Sequence, residues 1–177
     1  MTKTTTSFVI LFLGIFFTLS ARSQSEEQLK IVWPEEYHWK VGSDQETNSH
    51  HLIELIPENE SLNEWSIIGT MFSFKDVKHA PVETIMNLLF EQTKKTAVRP
   101  TLTVIEKNDT AKNAWIIFKI ESPKFKKDKT PESQLYYLIQ GNTSLYSNFV
   151  AIKEKTLSDD FVAKWSKIFR NSELIYQ

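Results

Sequence analysis

Apolar and polar positions recur along this chain with two periods, and the period changes where proline, glycine or a polar run interrupts it. Leu29 to Trp33 is a short β-prone run closed by Pro34. Tyr37 to Val41 is a second, with Tyr37, Trp39 and Val41 on one face at period two. Gly42 to Ser49 (GSDQETNS) reads as a polar turn or loop. His51 to Ile56 predicts a strand closed by Pro57, and PENESLNE a polar connector holding a helical turn. Trp65 to Phe74 is the strongest early strand, in which Gly69 marks a bulge or a close backbone approach.

Helical spacing begins at Pro81. Val82, Ile85, Met86, Leu89 and Phe90 make one apolar stripe, which predicts a helix over Pro81 to Ala97. Pro81 suits the first helical position, Glu83 lies near the positive end of the dipole, and Lys94 and Lys95 lie near the negative end. Arg99, preceding Pro100, disfavours continuation. Thr101–Glu106 and Ala114–Ile120 then predict strands around the turn-forming NDTAKN. Past the basic loop SPKFKKDKTPES, Leu135–Gln140 and Leu145–Ile152 flank QGNTS, a hairpin connection in which Gly141 or Asn142 can take positive φ. A second helix follows over Asp159 to Arg170, capped by Ser158, with Phe161, Val162, Trp165, Ile168 and Phe169 on its buried face. The order predicts one α+β domain, a largely antiparallel sheet of about six or seven strands packed with two main helices.

The first residues follow a different logic. Lys3, a 12-residue apolar run from Phe8 to Leu19, and Ser20-Ala21-Arg22-Ser23 have the layout of an export signal. Ala21 and Ser23 direct cleavage between Ser23 and Gln24, with a cut after Ala21 as the alternative. The run is shorter than the roughly 20 residues a spanning helix needs. Residues 1–23 are therefore read as a signal peptide, 24–28 as a flexible leader and 29–177 as the domain. The processed chain has no transmembrane segment and goes to the periplasm or the extracellular space.

Composition narrows the functional classes. The chain has no cysteine, so neither a disulfide framework nor a thiol nucleophile exists. Removing residues 1–23 leaves 19 basic and 22 acidic residues, a balance unlike that of a nucleic-acid-binding protein. The charge is uneven. Gln24 to Glu64 carries ten acidic residues against two lysines, and Lys75 to Pro131 carries twelve basic against seven acidic residues. The simplest expectation is that the acidic segment packs beside the basic one and the two neutralise each other in part; the alternative is a basic patch for a polyanion.

Catalytic motifs are absent from the sequence: no GxSxG, no HExxH and no glycine-rich phosphate loop. His50 and His51 are adjacent in a predicted strand and point to opposite faces, so they do not share a metal; neither a metal nor a cofactor is expected. Paired carboxylates (Glu35-Glu36, Glu58 and Glu60, Asp159-Asp160) leave a small carboxylate-dependent hydrolase as the alternative to a binding role. Trp33, Tyr37 and Trp39 form either an N-terminal arm packed on the sheet, the preferred reading, or a binding patch. Lys124, Lys126, Lys127 and Lys129 make a basic loop, read first as solvated and second as a contact for an acidic partner or anionic lipid. Asn59, Asn108 and Asn142 each begin an N-x-S/T triplet, taken as incidental because the cysteine-free, Lys-, Asn-, Ile- and Phe-rich character is that of a bacterial envelope protein.

The stretches IPENESLNEWSIIGTMFSF and GNTSLYSNFVAIK…FVAKWSKIFRNSELI, with the proline-started helix between them, resemble small exported bacterial proteins of unknown function. The order of elements also resembles the PsbP-like α+β sandwich, in which a terminal helix packs back on an antiparallel sheet. That resemblance implies a non-catalytic binding or accessory module. The expectation is thus an exported domain that binds an envelope protein or ligand, with no catalytic residues and an unspecified oligomeric state.

Overall fold

A computed structural model describes residues 26–127 and 129–177; the signal run and the Ser23–Gln24 junction lie outside the described residues. The strands are β1 (Glu27–Lys30), β2 (Trp39–Glu46), β3 (His50–Pro57), β4 (Ile67–Phe74), β5 (Thr101–Asn108), β6 (Trp115–Ser122), β7 (Glu132–Gln140), β8 (Leu145–Ile152) and β9 (Glu173–Tyr176). Helix α1 (Val82–Thr96) follows β4, and α2 (Asp159–Arg170) lies between β8 and β9. Seven strands form one antiparallel sheet in the order β2-β3-β4-β8-β7-β6-β5, and β1 pairs with β9 as a separate ribbon. The α+β architecture is the one the sequence predicts.

The order follows from two meanders. β2, β3 and β4 zigzag from one edge to the middle. The α1 connection then carries the chain to the opposite edge, from which β5 to β8 zigzag back until β8 pairs with β4. Each face of the sheet has its own core. On one face α1 covers β6 and β7, with Val82 and Met86 against Phe118, Tyr136 and Leu138. On the other α2 covers β7, with Trp165 and Phe169 fully buried against Ile117, Leu135, Tyr137 and Val150. Ser158 Oγ accepts from Phe161 N–H, so the predicted N-cap of α2 is in place. α1 is one residue shorter than predicted at each end, and Pro81 is its N-cap.

The structure departs from the pattern where residues are exposed or far from their partners. Gly42–Ser49 is not a turn: β2 runs through Glu46, and only Thr47–Ser49 connects it to β3. β2 is an edge strand, so its polar side chains meet water while the ladder to β3 holds the backbone. Glu35–Tyr37 is a short 3-10 turn closed by His38 at φ 45°, which removes Tyr37 from the strand predicted there. β4 begins at Ile67 rather than Trp65, and the connector before it holds a Ser61–Glu64 bridge in place of a helical turn. β1 starts at Glu27, inside the expected leader, and β9 has no counterpart in the pattern. Both sheet edges carry a bulge, at Val41/Ser43 and at Val104/Glu106, which discourages edge-to-edge pairing.

Gly69 is the close approach its position suggests. A Cβ there would lie 2.3 and 2.6 Å from ring atoms of Trp33, whose indole packs against β4 at this position. Trp33 in turn sits 5.5 Å from both Trp39 and Trp165, centroid to centroid. Gly69→Ala should therefore displace the indole and cost about 1–3 kcal/mol. Gly42→Ala, which meets side-chain atoms of Leu62 at 3.1 Å and Ile56 at 3.2 Å, is a milder clash and should cost less. Urea unfolding of the two variants checks the difference.

Candidate functional site

The β1–β9 ribbon does not lie flush on the sheet. Between it and strands β3, β4 and β8 opens a cleft of about 500 Å³. Strand alternation decides what faces it: His51 and Ile53 from β3, Met71 and Ser73 from β4, and Tyr146 and Asn148 from β8 share the ribbon side of the sheet. Glu26, Glu27 and Leu29 form the ribbon wall, and Lys75, Asp76, Thr143 and Ser144 close the rim.

Glu27 organises this region. Only 6% of it is exposed, and its carboxylate accepts hydrogen bonds from the backbone N–H groups of Asn142 (2.7 Å), Thr143 (3.2 Å) and Ser144 (3.2 Å), all in the β7–β8 loop. The Tyr176 hydroxyl donates to it from β9 at 3.1 Å, and the Tyr146 hydroxyl donates to the Glu27 carbonyl at 2.7 Å. Successive backbone N–H groups turned toward one point make an anion-binding concavity, here filled by the protein's own side chain. Burial raises the Glu27 pKa, but the bonds from Asn142, Thr143, Tyr176 and Ser144 outweigh it and hold the carboxyl below its ordinary 4.5. Gly141 makes the approach feasible: a Cβ there would stand 2.1 Å from a Glu27 oxygen. Neither Gly141 nor Asn142 takes positive φ, so the glycine provides space rather than the turn freedom expected from the sequence.

At the rim, Lys75 Nζ bonds Glu46 at 2.5 Å and meets Glu26 at 3.4 Å. The Glu46 bond raises the lysine's pKa and lowers the carboxyl's. His51 Nε2 is 2.7 Å from Asp44 Oδ1. Burial, followed by the charge of Glu27, raises the Tyr146 pKa. Every resolved shift in or beside the cleft thus moves a group away from neutral pH. On the floor, Asn148 is 2% exposed and its amide nitrogen has no partner among the described residues. Such a group costs stability unless something supplies an acceptor.

The sequence-predicted residues are distributed elsewhere. Trp33, Tyr37 and Trp39 pack around Trp165 under α2, with Tyr37 stacked on Trp165 at 5.8 Å. Tyr37 also borders a second, more open hollow of about 640 Å³ with Glu36, His38, Glu58 and Phe161, and Lys164 Nζ stands over its ring. Glu60, in the same hollow, is engaged by the Ser66 N–H and hydroxyl. His50 stacks on Phe72 on the face opposite His51. Among the described residues no three His, Asp or Glu side chains gather as a metal cage. None of Glu27, Lys75, Tyr146 and Asn148 carries a sequence signal for a site. The nearest signal was the glycine of QGNTS, which marked the loop without naming its guest.

Comparison with protein-family models gives no match, and comparison with curated proteins gives no relative.

Because Glu27 is held ionised, its contribution to stability is present above the ordinary carboxyl pKa and is lost as pH falls through its lowered folded value. Glu27→Gln puts an amide against N–H donors and should cost about 2 kcal/mol at neutral pH. Its unfolding free energy should also be flatter than the parent's between roughly pH 5 and 3. Urea titrations across that range measure both effects.

Proposed function

We propose that this chain is an exported, non-catalytic domain that binds a ligand or envelope partner through the cleft between the β1–β9 ribbon and strands β3, β4 and β8. One observation carries the reading: polar groups converge on an open cleft, where the Asn148 amide on the floor lacks a partner among the described residues and the buried Glu27 carboxylate on the wall is held in its charged form. Recognition needs an unmet donor and preorganised walls, and the cleft has both. Acid–base hydrolysis needs a carboxyl raised toward neutrality beside an ionised one. Glu27 is shifted the other way, and its oxygens are occupied by the loop. The carboxylate hydrolase stays the second reading, carried by Glu26, Glu27 and Asp76 sharing one cleft.

The PsbP-like resemblance is supported by the antiparallel sheet with a late helix packed back on it, although here β9 follows that helix. Export is supported by the N-terminal pattern.

Two measurements test the proposal. Mass spectrometry of the protein recovered from its native cells should give an N-terminus at Gln24, in the periplasmic or culture fraction; an intact Met1 in the cytoplasm overturns export. A photo-crosslinking residue at Asp76, on the cleft rim, should give a discrete adduct in cells. Filling the cleft with Ser73→Phe should abolish it, and the same probe at Thr84 on α1 should give none. Equal adducts from both probe positions, or an adduct that survives Ser73→Phe, overturn the cleft.

A further inference from the structure

The strand order sorts the charge. The acidic segment supplies β2 and β3 at one edge of the sheet, whereas the basic segment supplies α1, β5 and the β6–β7 loop at the other. The expected neutralisation is not what the fold delivers. Among the described residues, Lys75 is the one basic side chain of the middle segment in an ion pair with the acidic N-terminal part. Most of the remaining positive charge is gathered at one corner.

Hydrogen bonds build that corner. Val98 N–H donates to Lys124 O, Lys126 N–H donates to Thr96 O, and Ala97 and Phe125 form an antiparallel bridge, so the end of α1 and the β6–β7 loop are tied together. Lys126 Nζ caps the helix carbonyl of Lys95 at 2.6 Å, and Lys129 Nζ caps Lys126 O at 2.6 Å. These two lysines fix the shape. Lys95, Arg99, Lys124 and Lys127 surround them, all exposed and with no acidic partner among the described residues.

Neither of the two hollows described above is lined by residues of this corner. The elements that lead away from the corner carry exposed apolar side chains: Leu88 on α1, and Val104 and Ile105 on edge strand β5, whose Lys107 pairs with Glu83 at the other end of α1. Long cations on elements that also carry exposed aliphatic groups match a plane of anionic headgroups over an acyl layer.

We infer that the corner formed by the C-terminal end of α1 and the β6–β7 loop docks this protein on an anionic lipid bilayer, through Lys95, Arg99, Lys124 and Lys127. The inference is independent of the cleft, which opens on the opposite face of the sheet. Each basic group near an anionic bilayer adds about fivefold to partitioning, so removing four should lower it by several hundredfold.

The test is flotation of the purified protein with vesicles of phosphatidylcholine alone or mixed with phosphatidylglycerol. Flotation is expected with the mixed vesicles alone and should fall as salt rises. Combined Lys95→Gln, Arg99→Gln, Lys124→Gln and Lys127→Gln should abolish it. A charge-matched variant with Lys30, Lys78, Lys112 and Lys167 changed to Gln should retain it, and thermal unfolding confirms that both variants are folded. Flotation with phosphatidylcholine alone, no flotation with either vesicle, or equal loss in the two variants overturns the proposal. Binding to soluble polyglutamate in the absence of vesicle binding would instead assign the corner to an acidic protein partner.

Discussion

Trp165 is where the two ends of the chain meet, and the α2 face of the sheet is closed only because they do. α2 reaches β7 and leaves the β3–β4 side of that face to be covered by something else. The cover is the N-terminal arm, whose Trp33, Tyr37 and Trp39 stand within about 6.4 Å of the Trp165 ring, centroid to centroid. Aromatic rings of this size hide a large area per residue, which suits a chain with no disulfide to close its ends. The arrangement has a cost. The indole N–H groups of Trp33, Trp39 and Trp165 are buried without acceptors among the described residues, so apolar contact has to outweigh unmet donors. It also imposes a constraint at a distance, since Trp33 reaches β4 only because residue 69 has no side chain.

The ribbon that follows from this packing depends on an electrostatic solution. β1 and β9 are four residues each and pair only with one another, too little to stand alone. Glu27 fastens them to the β7–β8 loop through backbone donors, and Glu121 plays a parallel part at the start of α2, accepting from Leu157 N–H at 2.8 Å while pairing with Lys119. Two carboxylates thus anchor the covering elements that apolar contact alone would leave free to slide. The same anchoring holds the ribbon off β3 and β4 and leaves the cleft between them. The cleft is therefore a product of how the ribbon is held, and the buried carboxylate on its wall is spent on holding it.

Legibility in the sequence followed the range of the forces. Both helices were visible because an apolar stripe and a cap are local. β4, β6 and β8 were visible because buried strands must be rich in apolar and β-branched residues. β2 was cut short because an edge strand needs no apolar face, so its GSDQE stretch carries no strand pattern. β1 and β9 were lost because Glu27 pairs with Tyr176 across nearly the whole chain, and four residues hold no period. The cleft was missed for the same reason: Glu27, Lys75 and Asn148 become neighbours only through pairings that no local window contains. Gly69 was legible as a contact and silent about its partner.

Charge shows the limit most clearly, because the segment totals were correct and the inference from them was not. Segments adjacent in sequence can be remote in a meandering sheet when one helical crossover separates them, and here α1 carries the chain from the middle of the sheet to its far edge. Neutralisation would have required β5 to enter beside β2 or β3. Instead β8 takes the central place beside β4, and its neighbours are apolar on both faces. Topology thus leaves the basic corner at the edge of the sheet opposite β2 and β3. The field of such a corner orients a molecule before it touches a charged surface. With the basic corner toward an anionic plane, edge strands β2 and β3, which carry Asp44, Glu46 and Glu54, lie at the far edge of the sheet, so the fold favours an orientation as well as a surface.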